Sequence, residues 1–305
     1  MCEVTRLEPG EHMRRKQPEY WMDLVGGVTG RYKTEQIQKL LAGKRLPPGS
    51  VVVDVGAGTS DLSKMVAEEG GVDKILCIDY DAGIVDAGHA AETDPRVEWR
   101  VADARHLDAI PEAIGAITFF DVLHEVYSFV GRGDTSSIVD HQKGVAAVRD
   151  ILAGSAAALA PGGLIVITDD VLPEETGLVV VRARTAESAA VVRRIVDEYP
   201  SRDLQLLWSG SSDTFTIPAR NLATLLTQYN KPKRGDLARW RVEQMEVHQY
   251  MSAAEMAEFL HELGLETAVH VGTPDEALAE WSADFEVVSG LVGLPEKRVA
   301  LVAQK

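Results

Sequence analysis

The sequence predicts an α/β protein with a doubly wound, mostly parallel sheet of seven strands. Short apolar runs that suit buried strands alternate with amphipathic stretches that suit helices, and this alternation is typical of parallel sheets. The first run, Val51–Val55, is followed by Gly56 and Gly58, and the second ends at Asp79. Because glycine allows a backbone to approach a ligand closely, this edge of the sheet is the predicted binding site.

The seven strands fall in two groups, five in the first part of the chain and two near its end. They are predicted at Val51–Val55, Lys74–Ile78, Val97–Val101, Ala116–Val122, Leu164–Thr168, Glu266–Val271 and Arg298–Ala303. Helical periodicity between them covers 62–69, 145–159 and 253–263. After Asp170 the alternation stops, and Val179–Tyr199 and Ile217–Tyr229 are predicted as helices.

Three regions follow from this pattern. Residues 1–50 are predicted to form an N-terminal helical cap that ends at the break Pro47-Pro48-Gly49. Residues 51–172 plus 251–305 form the predicted sheet core. Residues 173–250 are predicted to be a largely helical insertion that covers the mouth of the sheet.

Composition limits the classes of function. A net charge of −16 argues against a nucleic-acid-binding surface, because such surfaces are usually basic. Cys2 and Cys77 are far apart, which argues against both a disulfide framework and a cysteine zinc site. The first residues have no hydrophobic signal core and no run reaches the length of a membrane span, so we expect a cytoplasmic protein without a membrane partner.

Three strand ends carry acids or glycines that a nucleoside ligand could use. Asp79 can accept hydrogen bonds from both hydroxyls of a ribose, and Asp103, after the third strand, can accept one from an exocyclic amino group. The alternative is that the acids are ordinary helix N-caps. A dinucleotide is disfavoured because a third glycine is missing and Asp61 would lie where a pyrophosphate should bind.

The stretch 51–122 resembles the class I S-adenosylmethionine-dependent methyltransferases, which have a Rossmann-like core. The resemblance rests on Asp54-Val-Gly56-Ala-Gly58-Thr59, on Asp79 and Asp103, and on Phe119-Phe120-Asp121-Val122-Leu123-His124-Glu125. It implies that Gly56 and Gly58 face the methionine part of S-adenosylmethionine and that Asp121 lies beside the transferred methyl group. The full set of implied cofactor-binding residues is Tyr32, Asp54, Gly56, Ala57, Gly58, Asp79, Tyr80, Asp103, Ala104 and Asp121.

The N-terminal segment Gly30-Arg31-Tyr32-Lys33 precedes a predicted helix that leads to the first strand. Members of the family often fold such a helix over the cofactor. The resemblance then implies that Arg31 or Lys33 pairs with the methionine carboxylate and that Tyr32 closes the lid. A plain surface helix is the alternative.

Candidate catalytic residues follow the fourth strand. His124 is a candidate general base, Glu125 lies beside it, and Tyr127 is a candidate wall of the acceptor pocket. The alternative is that His124 and Tyr127 are structural. Metal-dependent catechol-type methyltransferases place ligands at similar strand ends, where this chain has Asp121, Asp169 and Asp170. Asp stands where that group has Asn, so no metal ligand is predicted, although magnesium stays an open alternative.

The predicted function is methyl transfer from S-adenosylmethionine to a small-molecule acceptor, at an O, N or C atom. The basic run 231–241 in the insertion leaves an anionic acceptor open, although a solvated surface explains it as well. The alternatives are methylation of RNA or protein, another enzyme on the same sheet such as a dehydrogenase, lyase or cyclase, and a binding protein without activity. The acceptor and the oligomeric state are left open.

Overall fold

The computed structural model describes residues 28–58, 60–132, 137–210 and 213–305. Most of the predicted cap, residues 1–27, lies outside the described residues, as does Thr59. The strands are β1 Val51–Val55, β2 Ile75–Asp79, β3 Val97–Val101, β4 Ile114–Phe120, β5 Leu159–Asp170, β6 Leu178–Ala183, β7 Leu207–Trp208, β8 Thr214–Pro218, β9 Glu266–Gly272, β10 Phe285–Ser289 and β11 Arg298–Gln304.

Helices flank these strands along the chain. They are α1 Val28–Leu41, α2 Asp61–Gly70, α3 Ala82–Ala91, α4 Leu123–Gly131, α5 His141–Ala158, α6 Ala186–Glu198, α7 Ala219–Lys233, α8 Leu237–Glu243, α9 Ala253–Glu262 and α10 Asp275–Asp284, with a 3₁₀ turn at Ala104–Ala109. Within the described ranges, none of them is both long and apolar enough to cross a bilayer.

Seven strands form the central sheet in the order β3-β2-β1-β4-β5-β11-β9. Strands β1 to β5 are mutually parallel, and β11 is antiparallel to both β5 and β9. The prediction of a doubly wound, mostly parallel seven-stranded sheet is confirmed. In such a sheet the carboxyl ends of the parallel strands share one edge, and ligands bind there.

The central strands are apolar on both faces because helices cover both sides of the sheet. Val53 and Ile117 belong to one buried cluster, whereas Val52 and Ala116 belong to the cluster on the opposite face. Hydrophobic burial on two sides therefore fixes the backbone from which the strand-end residues project.

The region after β5 differs from its prediction. The predicted helix Val179–Tyr199 begins as strand β6, and the predicted helix Ile217–Tyr229 begins with the end of β8. Strands β10, β6, β8 and β7 form a second, antiparallel sheet in that order. Because β10 pairs with β6, a boundary at residue 250 does not separate the two sheets.

Candidate functional site

A cleft of about 490 Å³ lies at the carboxyl edge of the central sheet. Its floor comes from the residues that end or follow β1 to β4, and one wall comes from α4 and α5. Its lining includes Gly56, Asp79, Tyr80, Asp103, Ala104, Asp121 and Glu125, all of which the sequence singled out. Its apolar wall, which the sequence did not predict, includes Val126, Phe129, Val130 and Ile151.

Gly56 is required by the packing of the sheet itself. Its φ is +66°, a left-handed conformation that disfavours side chains. A Cβ at this position would lie 2.6 Å from Val122 Cγ2, which follows the neighbouring strand β4. Gly58 also has a positive φ of +51°. The packing against Val122 is therefore sufficient to require glycine at position 56, and the close approach of a ligand stays a prediction.

Asp54 lies away from the cleft. Its side chain is 1% exposed and accepts a hydrogen bond from Thr118 Oγ1 at 2.6 Å. Burial raises the pKa of this carboxyl to about 7, although the hydrogen bond from Thr118 opposes the shift. Asp54 does not line the cleft, so a direct cofactor contact from its side chain has no support in this geometry.

Two acids at the next strand ends face the cleft. Asp79 is largely buried, and its Oδ1 accepts a hydrogen bond from the Asp81 backbone at 2.9 Å. Burial raises the pKa of Asp79 to about 6. Asp103 accepts a hydrogen bond from Arg105 Nε at 3.0 Å, and the Arg105 hydrogen bonds hold the pKa of Asp103 below its usual value. Tyr80, 55% exposed, lines the cleft between the two acids in sequence.

Asp121 is held by two cations at the end of β4. The ammonium of Lys33, from α1, contacts one carboxylate oxygen, and the guanidinium of Arg298, from β11, contacts the other. Burial opposes ionisation, but Arg298 and Lys33 outweigh it and hold the pKa of Asp121 well below its usual range. The residue has a φ of +55° and donates its backbone N–H to Thr168 at 2.9 Å.

The three acids considered as magnesium ligands already contact basic side chains of the protein. Arg298 bridges Asp121 and Asp170, with 2.8 Å to Asp170 Oδ1, and Lys297 lies 3.4 Å from Asp170 Oδ2. Asp169 instead accepts from His124. Because positive side chains already contact these oxygens, the geometry favours an ion-pair network over a magnesium site.

The three candidate catalytic residues lie in different environments in the structure. His124 occupies the first turn of α4, is 4% exposed and has Nδ1 2.7 Å from Asp169 Oδ1. Burial alone would lower the pKa of His124, but Asp169 and Glu246 outweigh it and raise that pKa well above its usual value. A buried histidine that retains its proton is poorly placed to act as a general base.

Tyr127 is buried in the packing of the fold, whereas Glu125 faces the cleft. The Tyr127 ring is buried, its hydroxyl lies 3.1 Å from His141 Nδ1, and it stacks on Tyr250 with ring centroids 5.3 Å apart. Of the three catalytic candidates, only Glu125 lines the cleft. The packing interpretation therefore fits Tyr127, and a catalytic role for Glu125 stays a prediction.

Tyr32 and Lys33 lie inside α1, not before the helix as predicted. The Tyr32 hydroxyl is 3.0 Å from His270 Nε2 on β9, away from the cleft lining. Ala57 and Gly58 belong to the loop after β1 and also fall outside that lining.

Three cations of the basic run 231–241 form ion pairs with acidic side chains of the fold. Lys231 lies 2.8 Å from Glu243, Lys233 pairs with Asp284, and Arg234 lies 2.7 Å from Glu280. None of these three cations lines the cleft. These three pairs favour the structural interpretation of the run, and an anionic acceptor stays a prediction.

Sequence reasoning missed Arg298 and the apolar wall. Arg298 had a visible signal, because Lys297 and Arg298 directly precede five consecutive apolar residues, Val299–Ala303. Two adjacent cations at the start of such a run indicate an internal acidic partner. Val126, Phe129 and Val130 were missed because α4 was not predicted as a helix, whereas Ile151 lies in the predicted helix 145–159.

The comparisons with known proteins agree with this architecture. A family model described as a methyltransferase domain matches residues 52–131, which contain the four strand ends that line the cleft. No curated protein matches the chain by sequence.

Solved structures with a similar fold include Haemonchus contortus phosphoethanolamine N-methyltransferase 2, in complex with phosphomonomethylethanolamine and S-adenosylhomocysteine. It is 12% identical, with 98% of this chain and 60% of that chain covered, at a TM-score of 0.52. The complex of the Haloferax volcanii Trm112 methyltransferase activator with a methyltransferase is also 12% identical, with 98% of both chains covered and a TM-score of 0.50. At such identities the likeness concerns the fold alone.

Residues 52–131 match a methyltransferase domain, and the seven-stranded sheet that contains them has the doubly wound, mostly parallel architecture that the sequence predicted. The resemblance to the class I methyltransferases seen in the sequence is confirmed for this matched segment.

Proposed function

We propose that the protein transfers a methyl group from S-adenosylmethionine to a small-molecule acceptor. The observation that carries the proposal is the cleft in which Asp79 and Asp103 follow adjacent strands beside the loop of Gly56. The family implies the cofactor, and the geometry supports a nucleoside without phosphate.

The cleft residues fit an adenosyl group. Asp79 is largely buried and its carboxylate can accept from two ribose hydroxyls. Asp103 and Ala104 can border the adenine, while Val126 and Phe129 provide an apolar wall for its ring. Asp61 lies in the first turn of α2, so its negative charge opposes a pyrophosphate at that helix N-terminus.

The chemistry requires positioning more than proton transfer. Bound S-adenosylmethionine supplies an electrophilic methyl group on a sulfonium centre. The protein's task is to align an acceptor in line with that methyl and to exclude water. Glu125 is the candidate proton acceptor because it lines the cleft, and His124 acts on it as a positioning residue through the first turn of α4.

A small acceptor is favoured over RNA for reasons of charge. The net charge is −16, and the Lys231, Lys233 and Arg234 side chains of the basic run pair with acids of the fold. An RNA methyltransferase needs an exposed basic surface for phosphates. The cleft volume of about 490 Å³ lies within the usual range for small-molecule sites, so a compact acceptor is expected.

Calorimetric titration with S-adenosylmethionine, S-adenosylhomocysteine and NAD tests the proposal. The first two ligands should bind and NAD should not. Asp79→Ala should weaken S-adenosylmethionine binding by about 2 kcal/mol, roughly thirtyfold, because hydrogen bonds to a charged acceptor are lost. Asp86→Ala is the matched control, since Asp86 is an exposed acid on α3 outside the cleft lining. Tight NAD binding without a response to the other two ligands would refute the proposal.

A further inference from the structure

Two histidines and a glutamate converge beneath the cleft, behind helix α4. His124 is 4% exposed, Glu246 is 0% exposed and His248 is 9% exposed. One ligand atom from each of the three lies within 4.8 Å of the others. His124 comes from the first turn of α4, whereas Glu246 and His248 come from the extended segment that follows α8.

The distances suit a cation between these atoms. Glu246 Oε2 lies 3.7 Å from His124 Nε2 and also 3.7 Å from His248 Nε2. In a tetrahedral zinc site with bonds of about 2.0–2.1 Å, neighbouring ligand atoms are about 3.3 Å apart. The two distances to Glu246 are therefore a few tenths of an ångström too long. The two imidazoles must also move towards each other, because the three ligand atoms lie within 4.8 Å of one another.

A second layer of contacts orients the His124 ring. Asp169 Oδ1 lies 2.7 Å from His124 Nδ1, and Asp169 Oδ2 accepts from the Tyr250 hydroxyl at 3.2 Å. A carboxylate on one ring nitrogen fixes the tautomer whose other nitrogen faces a metal, and this arrangement is usual for metal-binding histidines. The His124 and His248 rings lie close, with centroids 4.5 Å apart.

We propose that His124 Nε2, His248 Nε2 and Glu246 Oε2 bind one divalent transition metal ion, with Zn²⁺ as the expected ion. Two imidazoles and one carboxylate form a donor set that suits zinc and related ions. Both imidazoles bind as neutral rings, so coordination releases any proton held on Nε2. The proposal does not depend on the identity of the methyl acceptor or of the cofactor.

Lys231 is the competing cation at this place. Its ammonium lies 2.8 Å from Glu243 Oε2, 3.0 Å from Gln228 Oε1 and 3.4 Å from His248 Nε2. Glu243 Oε2 also lies 3.2 Å from His248 Nε2. Binding therefore requires the ammonium to stay with Glu243 and Gln228 while His248 turns its nitrogen to the ion. Removal of the Lys231 charge should strengthen metal binding.

The bound ion would connect the insertion to the core. Its ligands join α4, which carries Glu125 on the cleft, to the segment that leads to Tyr250. Because the three ligands are buried, the role is structural: the ion fixes α4 against the segment 246–250 and so positions the cleft wall.

Equilibrium dialysis of chelator-stripped full-length protein against Zn²⁺, with metal quantified by mass spectrometry, tests the site. Wild type should hold one tight equivalent, and His248→Gln and Glu246→Gln should each bind at least about 100-fold more weakly. His141→Gln is the control, because His141 contacts Tyr127 outside the cluster. Co²⁺ absorption spectra should report nitrogen and oxygen ligands in wild type and in the control only.

A further variant keeps the test decisive if a ligand substitution prevents folding. Lys231→Met should bind Zn²⁺ about tenfold or more tightly than wild type, since a nearby positive charge is removed. The absence of a tight equivalent from both wild type and Lys231→Met would overturn the proposal. Equal binding by wild type, His248→Gln and Glu246→Gln would do so as well, because the ion would then lie elsewhere.

Discussion

Replacement of Asp54 by Asn should stabilise the protein above neutral pH. Asp54 is buried near the carboxyl end of β1 and accepts a hydrogen bond from Thr118 Oγ1 at 2.6 Å. Asn keeps an oxygen for that hydrogen bond but cannot ionise. The wild-type carboxyl must lose its proton as the pH rises, and burial makes its charged form costly.

The size of this effect on the free energy of unfolding follows from the raised pKa of Asp54. Burial raises the pKa of Asp54 from 3.8 to about 7 in the folded protein. Between these values the folded state keeps a proton that the unfolded state has lost, so this group's contribution to stability is fully present below pH 4 and falls as the pH rises to 7. At about 1.36 kcal/mol per pKa unit, the total loss is about 4 kcal/mol, of which about 3 kcal/mol falls between pH 5 and pH 8.

Urea unfolding of wild type and Asp54→Asn at pH 5 and pH 8, followed by tryptophan fluorescence and circular dichroism, measures the effect. The free energy of unfolding of the variant relative to wild type should rise by about 3 kcal/mol from pH 5 to pH 8. A pH-independent cost of the new amide group cancels in this difference. An unchanged difference between the two pH values would show that Asp54 is ionised at little cost, and the reasoning from burial would be wrong.

Three further predictions concern neighbouring residues. Burial raises the pKa of Asp79 to about 6, and its carboxyl accepts hydrogen bonds from hydroxyl groups best when it is ionised. Affinity for S-adenosylmethionine should therefore fall by up to about tenfold per pH unit below pH 6 and level off above pH 7. Calorimetry across pH 5 to 8 measures this affinity, and a flat profile contradicts the prediction. Gly56→Ala should cost about 2 kcal/mol or more in urea unfolding, since the φ is +66° and the new Cβ meets Val122 at 2.6 Å. Arg298→Met should cost about 3–5 kcal/mol in the same assay because Asp121 loses a buried partner, and a cost below about 1 kcal/mol would show that Lys33 suffices.

The core strands were predictable because their signal is local. The central parallel strands are covered on both faces and so read as continuous apolar runs. β1 and β3 lie at their predicted bounds, and the other strands of the central sheet lie within five residues of theirs. The second sheet was not predictable in this way. Its strand β6 pairs with β10, which lies about one hundred residues later in the chain, and helix α6 follows β6 after two residues. Because β6 lies directly before a strong helical pattern, the sequence predicted one helix over both.

The candidate site was predictable in position but not in contacts. The sequence placed Asp79, Asp103 and Asp121 at strand ends, and the structure brings all three to one cleft. It could not distinguish them from Asp54, whose side chain points into the interior of the fold instead. Strand periodicity gives the face of a side chain, but whether a ligand or a helix covers that face depends on tertiary packing.

The ion pairs around Asp121 explain why distant parts of the chain are needed at this edge of the sheet. Three cations, Lys33, Lys297 and Arg298, face two carboxylates, Asp121 and Asp170. Burial lowers the pKa of Lys33 and of Lys297, so the surplus is at most one positive charge. Lys33 lies in the first described helix, Arg298 begins the last strand and Lys297 directly precedes it, so all three cations lie outside the matched segment 52–131. The matched segment by itself contains neither Lys33 nor Arg298, so the two cations that offset the buried charge of Asp121 come from parts of the chain outside that domain match.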